Sequence, residues 1–324
     1  MVQLFAKPYT LDKGASKAIL LRLTPETSSA NNELASSTVA EIYTQILKDL
    51  DEAEANLPDT YSTAVLRTTR AHKNTAIALK TRIYLAQGKF DKVITEANKI
   101  VSATAPFKSP NRVAHELQAD ITNAFKAPYT TNENVFSFPF SDTNTPETQN
   151  QLGYYYTGNG NIEYYLNVTA PGIYANAQWR ASDVRKTQLT SQYSAAWRTL
   201  IKWNGVSHFV DYVPIIRYSE VLLNLAEAEA EVGDQTRARA LLEAVHLRSD
   251  ATYDFGTLTK QQLIDAILTE RRIEFLGEGF RAPDIQRRLL PFVSVGAGAS
   301  ILSTDDRYVF PIPVTELQTN PGAK

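Results

Sequence analysis

The chain has 324 residues, 43% hydrophobic and 21% charged, which fits a folded body with a sizeable core and excludes a disordered polymer. Its 33 basic and 35 acidic residues give a net charge of -2 with no basic stripe, which excludes the usual electrostatic footprint of nucleic-acid binding. Cysteine is absent, so disulfides, thiolate catalysis, cysteine-ligated metals and an acylated cysteine are excluded within these residues, and no apolar run reaches the ~18 residues of a membrane span. Met1–Thr10 has neither a charged nor an apolar signal region, so no signal peptide is expected.

In chain order, the stretch to about residue 32 reads as extended or irregular, with turns at Lys7-Pro8-Tyr9 and Thr24-Pro25-Glu26. Thr38 with Glu41 forms a capping box, and Ile42, Ile46, Leu50 and Ala53 continue at helical spacing until Leu57-Pro58. A second helix is predicted over Asn74–Ala86, a break at Gly88 and a third helix over Lys89–Val101. Tyr84, Gly88 and Phe90 sit where a tetratricopeptide-type hairpin places its aromatics and turn glycine. Ala226, Gly233, Ala238 and Leu242 give a second, better copy more than a hundred residues downstream, so a simple tandem solenoid is excluded. Thr259 with Gln262 caps a further helix through Ile264, Ile267, Leu268 and Phe275, and the tail is loop-rich. The fold expected is mainly α, with tetratricopeptide-like helix pairs and a long loop-rich middle containing short strands such as Asn134–Phe140. Within 1–324 as one domain, the blocks are a helical one at 38–105, a loop-rich aromatic one at 106–212, and a second helical one with C-terminal loops at 213–324.

The middle block differs in kind. Gly153–Tyr212 holds twelve aromatics in sixty residues, including Trp179, Trp197 and Trp203, while Ala127–Trp179 has no lysine or arginine. Sugars offer flat C–H faces that stack on aromatic rings and hydroxyls that suit Asn, Asp and Arg. Tyr154, Tyr155, Tyr156, Asn159, Tyr164, Tyr165, Trp179 and Arg180 supply both kinds of group and are the candidate ligand-binding residues, with Asn161 and Asn167 beside them. The competing reading is that such rings pack loops onto the helical body. The missing cations across this stretch argue against a polyanionic ligand touching it.

Catalytic and metal signals are weak. His72, His115, His208 and His246 are scattered singly. Glu243-Ala244-Val245-His246 has the spacing of a di-iron ligand pair, but such a site needs two copies and two more glutamates; a solvated helix end accounts for it. Glu270, Glu274 and Glu278 share a helix face beside Arg271, Arg272, Arg281 and Asp284, which reads as structural ion pairs rather than an acid–base pair. Asp305-Asp306 offers two oxygen ligands for calcium without completing a site. No cofactor and no catalytic residue is assigned.

Three segments in order carry a resemblance to the SusD/RagB family: Ile216-Arg217-Tyr218 through Ala226-Glu227-Ala228; Glu270-Arg271-Arg272 through Gly279-Phe280-Arg281 with Asp284-Ile285; and Pro311-Ile312-Pro313 with Glu316 and Asn320-Pro321. Tyr43–Pro58, Asp183-Val184-Arg185 and Lys202-Trp203 resemble family positions as well. Glu243 and His246 depart from the family pattern, which has Asn and Arg there. Full members are longer and begin with a lipoprotein signal and an acylated cysteine, so the resemblance implies an N-terminally truncated portion. It further implies a lipid-anchored protein on the extracellular face of the outer membrane of a Bacteroidetes bacterium. Such a protein captures glycan without chemistry and delivers it to a TonB-dependent, SusC-like transporter. A peptide-capturing member, a helical scaffold with no small ligand, and an unrecognised hydrolase are the alternatives.

Overall fold

Helix boundaries follow local chemistry closely. Two one-turn helices, α1 (Val2–Phe5) and α2 (Tyr9–Asp12), precede the strands β1 (Lys17–Leu20) and β2 (Ser36–Thr38), so the opening stretch is more ordered than its sequence suggests. The reason is Asp12, whose carboxylate accepts the backbone N–H groups of Gly14, Ala15 and Ser16 at 2.9–3.1 Å and locks the turn into β1. The long helix α3 (Val39–Asn56) starts at the predicted capping box: the Glu41 carboxylate accepts the Thr38 N–H at 2.7 Å, and the Thr38 hydroxyl accepts the Glu41 N–H at 3.2 Å. The computed structural model describes all residues except 29–32, 148–149, 158–161, 196, 205–209, 295–297 and 324.

After the short α4 (Ala64–Thr69) come α5 (Lys73–Ala86) and α6 (Phe90–Ala97). Gly88 joins them at φ +68°, with Lys89 N–H to Tyr84 O at 2.9 Å and Gly88 N–H to Leu85 O at 3.0 Å, the paired bonds of a Schellman ending. The third helix stops at Ala97 rather than Val101, because tighter i→i−3 bonds take over at Lys99 and Ile100. The middle block contributes β3 (Asn134–Phe138), α7 (Leu152–Tyr156), α8 (Val184–Gln188), β4 (Thr190–Gln192) and β5 (Arg198–Leu200). Then follow β6 (Val213–Arg217), α9 (Tyr218–Val232), α10 (Gln235–His246), α11 (Lys260–Glu274), α12 (Arg281–Arg287) and α13 (Val314–Thr319). The described residues form a mainly helical fold with three two-stranded antiparallel sheets, β1–β2, β3–β6 and β4–β5.

Contacts group the chain into two compact units. The first gathers Met1–Glu52, Ile83–Lys89 and Arg281–Lys324. Its core is Ala6, Ala18, Val39, Ile42, Tyr43 and Ala86, and its C-terminal part is tied in by Asn320, which bonds the N–H and C=O of Leu34 at 3.1 and 2.9 Å.

The second unit holds Ala53–Arg82 and Phe90–Phe280. Helix α9 is its axis, buried from Tyr218 to Ala230, with α6, α10 and α11 packed against it. A helix buried on all sides must pair its polar groups. Glu220 takes a two-toothed bond from Arg82 at 2.6 Å, and Asn224 bridges Thr81 and Arg271 at 3.0 and 2.7 Å.

Two histidines that are solitary in the sequence stack in this unit. His72 and His115 are 0% and 1% exposed, with ring centroids 5.3 Å apart and planes 20° from parallel. Burial lowers His72 to about 4, partly offset by the carbonyls of Arg67 and Val135. Burial, then the neighbouring His72, lowers His115 to about 3. Unfolded histidines titrate near 6.5. The contribution is therefore whole above pH 6.5 and is lost as pH falls through 6.5 towards 4 and 3, on the order of a few kcal/mol in total. Urea midpoints at pH 7.5, 6.0 and 4.5 should fall in that order, and His72→Phe should flatten the slope.

Candidate functional site

The aromatic middle is held by charge rather than by grease. In the second unit Arg217, at the end of β6, bonds Glu133 at 2.7 Å, Glu274 at 2.6 Å and Glu278 at 2.9 Å. Arg185 on α8 bonds Asp183 at 2.7 Å, Glu274 at 3.0 Å and also Glu270, while Lys202 bonds Glu278 at 2.7 Å and the Glu274 carbonyl at 2.8 Å. Arg248 bonds Glu133 and Glu274. All these side chains are buried. Burial raises Glu274, but Arg248, Arg217 and Arg185 overcome it and hold its carboxyl well below the ordinary range. Glu270 is held low against the same burial by Arg185 and by a 2.6 Å bond with His246 Nδ1.

Glu270 and Glu274 on α11, with Glu278 in the turns after the helix rather than on its face, form the structural ion network that the sequence suggests, but with different partners. Arg271 turns to Asn224 instead, and Asp284 pairs with Arg287 at 2.8 Å. The reading of His246 as a solvated helix end is wrong: it is 0% exposed and bonded to Glu270, while Glu243 pairs with Arg239 at 2.8 Å. A buried ring nitrogen needs a partner, and the α11 carboxylate supplies it. Asp305 is bonded through both oxygens by Arg307 at 2.7 and 3.0 Å. Among the described residues no three metal-ligating side chains gather.

This lattice fixes the β4–β5 hairpin. Gly277, at φ +79°, lets the backbone after α11 come so close that a Cβ there would lie 2.5 Å from Leu200 and 3.1 Å from Trp203. Trp203 is 1% exposed and packs on Phe125 and Tyr156, with centroids at 6.0 and 5.8 Å.

From that anchor the rings run outwards in two groups. Tyr154, Tyr155 and Tyr156 on α7 are half-buried, and Tyr164 meets Tyr156 and Tyr155 at 5.6 and 6.1 Å. The chain is extended here, so neighbouring residues point to opposite sides and Tyr165 joins the second group. Leu166 N–H bonds Arg198 O at 2.8 Å, which puts the Tyr165 segment on one side of β5 while β4 lies on the other. Trp197 therefore stands between Tyr165 and Tyr193. Its centroid is 5.0 Å from Tyr165 and 6.4 Å from Tyr193, with planes within 7° and 14° of parallel. These three rings are 54%, 42% and 52% exposed for Tyr165, Trp197 and Tyr193, a row of apolar faces left in water.

Of the candidates from sequence, Tyr165 stands in this row and Tyr164 in the α7 group, while Trp197 and Tyr193 are not among them. Sequence reasoning chose Trp179, which is 2% exposed and packed with Ile173, Tyr174 and Ile273. It also chose Arg180, whose guanidinium is taken by Asp250 at 2.6 and 2.7 Å and Thr252 at 2.9 Å. Asn159 and Asn161 lie outside the described residues, as does His208. Asn167 caps its own turn, accepting the Thr169 N–H at 3.0 Å. The missed signal was the alternation around Tyr193 and Trp197, which are cross-strand neighbours on one hairpin face.

Comparison with known proteins gives a consistent picture. The SusD family model matches residues 67–324, and a second model, "Starch-binding associating with outer membrane", matches residues 1–85. SusD-like protein P2 of Formosa agariphila is 27% identical over 331 aligned positions, which cover 86% of this chain and 63% of P2. SusD-like protein P38 of the same organism is 30% identical over 172 positions, 50% of this chain and 30% of P38. The chain thus spans less than two thirds of either relative. A crystal structure of a SusD superfamily protein from Bacteroides fragilis matches with a TM-score of 0.86 at 34% identity, covering 99% of this chain and 72% of that one. A SusD-like carbohydrate binding protein from Bacteroides vulgatus matches with a TM-score of 0.78 at 18% identity, covering 99% and 73%, and at that identity it shows a shared fold alone.

Removing one partner from a buried ion lattice strands the others. Arg217→Met should therefore destabilise the protein by about 3–5 kcal/mol in urea unfolding, whereas Arg180→Met, at the solvent-screened pair, should shift the urea midpoint far less.

Proposed function

The chain belongs to the SusD family, and we propose that it captures glycan without chemistry at the outer-membrane surface and passes it to a TonB-dependent, SusC-like transporter. The observation that carries this reading is the row Tyr165–Trp197–Tyr193. A hydrated sugar ring gains by laying its C–H face on such rings, because water leaves both surfaces while the sugar hydroxyls stay solvated. Aromatic side chains with few rotatable bonds lose little entropy on binding. Tyr164 and the tyrosines of α7 form a separate aromatic group that leads to Trp203.

The carboxylates support a reading without chemistry. Glu270, Glu274 and Glu278, the residues with acid–base spacing, each accept from buried cations, and a carboxylate so occupied neither donates a proton nor reaches a substrate. Outer-membrane association is supported by the matching family description for residues 1–85. No helix among the described residues is long and apolar enough to cross a membrane. Trp179 is enclosed and Arg180 is engaged by Asp250, so on this reading the ligand contacts fall to the exposed row instead.

Calorimetric titration with oligosaccharides tests the placement. Trp197→Ala should weaken glycan binding at least tenfold, about 1.4 kcal/mol, and Trp197→Phe should restore most of it. Unchanged affinity in a folded Trp197→Ala and Tyr165→Ala double variant would remove the row from the binding site. Trp179→Phe should lower stability while leaving affinity within twofold.

A further inference from the structure

The four cations between residues 180 and 198 divide into two kinds. Arg180 is paired with Asp250, and Arg185 is consumed by the buried lattice. Among the described residues Lys186 and Arg198 have no ion-pair partner, yet both are brought to one ring. Lys186 Nζ lies 4.3 Å from the Tyr174 ring centre and the Arg198 guanidinium 4.9 Å from it. Arg198 follows Trp197 in the strand, so it projects from the other face of the hairpin, where it bonds Gln192 Oε1 at 2.8 Å and Thr190 Oγ1 at 3.3 Å.

Their placement is rigid rather than incidental. Lys186 Nζ donates to the carbonyls of Tyr174 and Trp179, each at 2.7 Å, which spends two of its three protons and fixes the charge in place. Burial lowers Lys186; Asp183 raises it in part, and Arg198 lowers it again, the signature of two like charges held within reach of each other. Asp183 does not neutralise the pair, because Arg185 holds both of its oxygens. Both side chains remain part-exposed, with donors left over.

Resting on the glycan reading, we infer that Lys186 and Arg198, braced on Tyr174, form a subsite for an oxyanion carried by the glycan, either the carboxylate of a uronic acid or a sulfate ester. The guanidinium fork and the ammonium point charge suit such a group, and the ligand charge relieves a repulsion the fold otherwise carries. The cation-free run Ala127–Trp179 suggested the opposite from sequence, but Lys186 and Arg198 lie beyond it and are folded back against its Tyr174.

The test uses the full chain in calorimetric titrations with a neutral, a uronate-bearing and a sulfated oligosaccharide of equal length, in 50 mM and 500 mM salt. An anionic ligand should bind at least tenfold tighter than the neutral one at low salt. That advantage should shrink at high salt and fall below twofold in Arg198→Gln and in Lys186→Gln, the first of these keeping a donor for Thr190. Which anionic ligand shows the advantage identifies carboxylate or sulfate. Equal affinity for neutral and anionic ligands, or an advantage intact in Arg198→Gln, overturns the subsite while leaving glycan capture standing. If no oligosaccharide binds, the glycan reading falls. The subsite is then decided by inorganic sulfate against chloride at matched ionic strength: a thermal shift in the wild type that Arg198→Gln loses upholds an oxyanion site, and no difference overturns it.

Discussion

Glu274 is the residue on which the second unit is hung. Its two oxygens and its carbonyl receive Arg185 from α8, Lys202 from the hairpin, Arg217 from the end of β6 and Arg248 after α10. Elements widely separated in sequence therefore share one carboxylate, and none can shift without stranding a buried charge. A cluster of apolar side chains would hold the same elements together with less directional demand. A lattice of forked guanidinium bonds also fixes how they are oriented. That orientation is what the loop-rich middle needs, since it has few regular ladders of its own.

The lattice also explains the placement of the aromatics. Phe125 and Phe275 lie under the Arg217 guanidinium at 5.2 and 5.3 Å, and Phe125 lies under Lys202 at 5.0 Å, so the apolar cluster around Trp203 is continuous with the ionic one. From Trp203 the hairpin rises directly to Trp197. The exposed row is thus a few residues of short strand away from the most constrained point in the fold, and its rings are presented by a rigid support.

Local signals were legible in the sequence. Both capping boxes, at Thr38 with Glu41 and Thr259 with Gln262, are formed by atoms three residues apart, and Gly88 acts through its own φ. Partner choice was not legible, because the arginines beside Glu270 and Glu274 in sequence are displaced by Arg185, Arg217 and Arg248 from distant segments. The same limit governed the aromatics. A helix reveals its buried face by periodicity, whereas Trp179 and Trp197 both sit in short irregular stretches where only tertiary pairing decides which ring is covered. Trp179 is enclosed because Lys186 ties its carbonyl down and Ile273 of α11 closes over it; Trp197 stays in water because the strands on either side of it carry tyrosines rather than a covering element.

Binding affinity depends on what must be ordered as well as on what is touched. Three rings standing nearly parallel and in contact restrict one another, which lowers the ordering cost for any group that stacks on them. The ordering cost is met during folding, where the ion lattice around Glu274 sets the hairpin, and it is not met a second time at each encounter. The cations on the reverse face of the same hairpin inherit the same rigidity. Arg198 is held by Thr190 and Gln192 on β4, and the strand that fixes Trp197 fixes Arg198 with it. One short hairpin, pinned at its base by buried charge, therefore carries an exposed aromatic face on one side and two cations on the other.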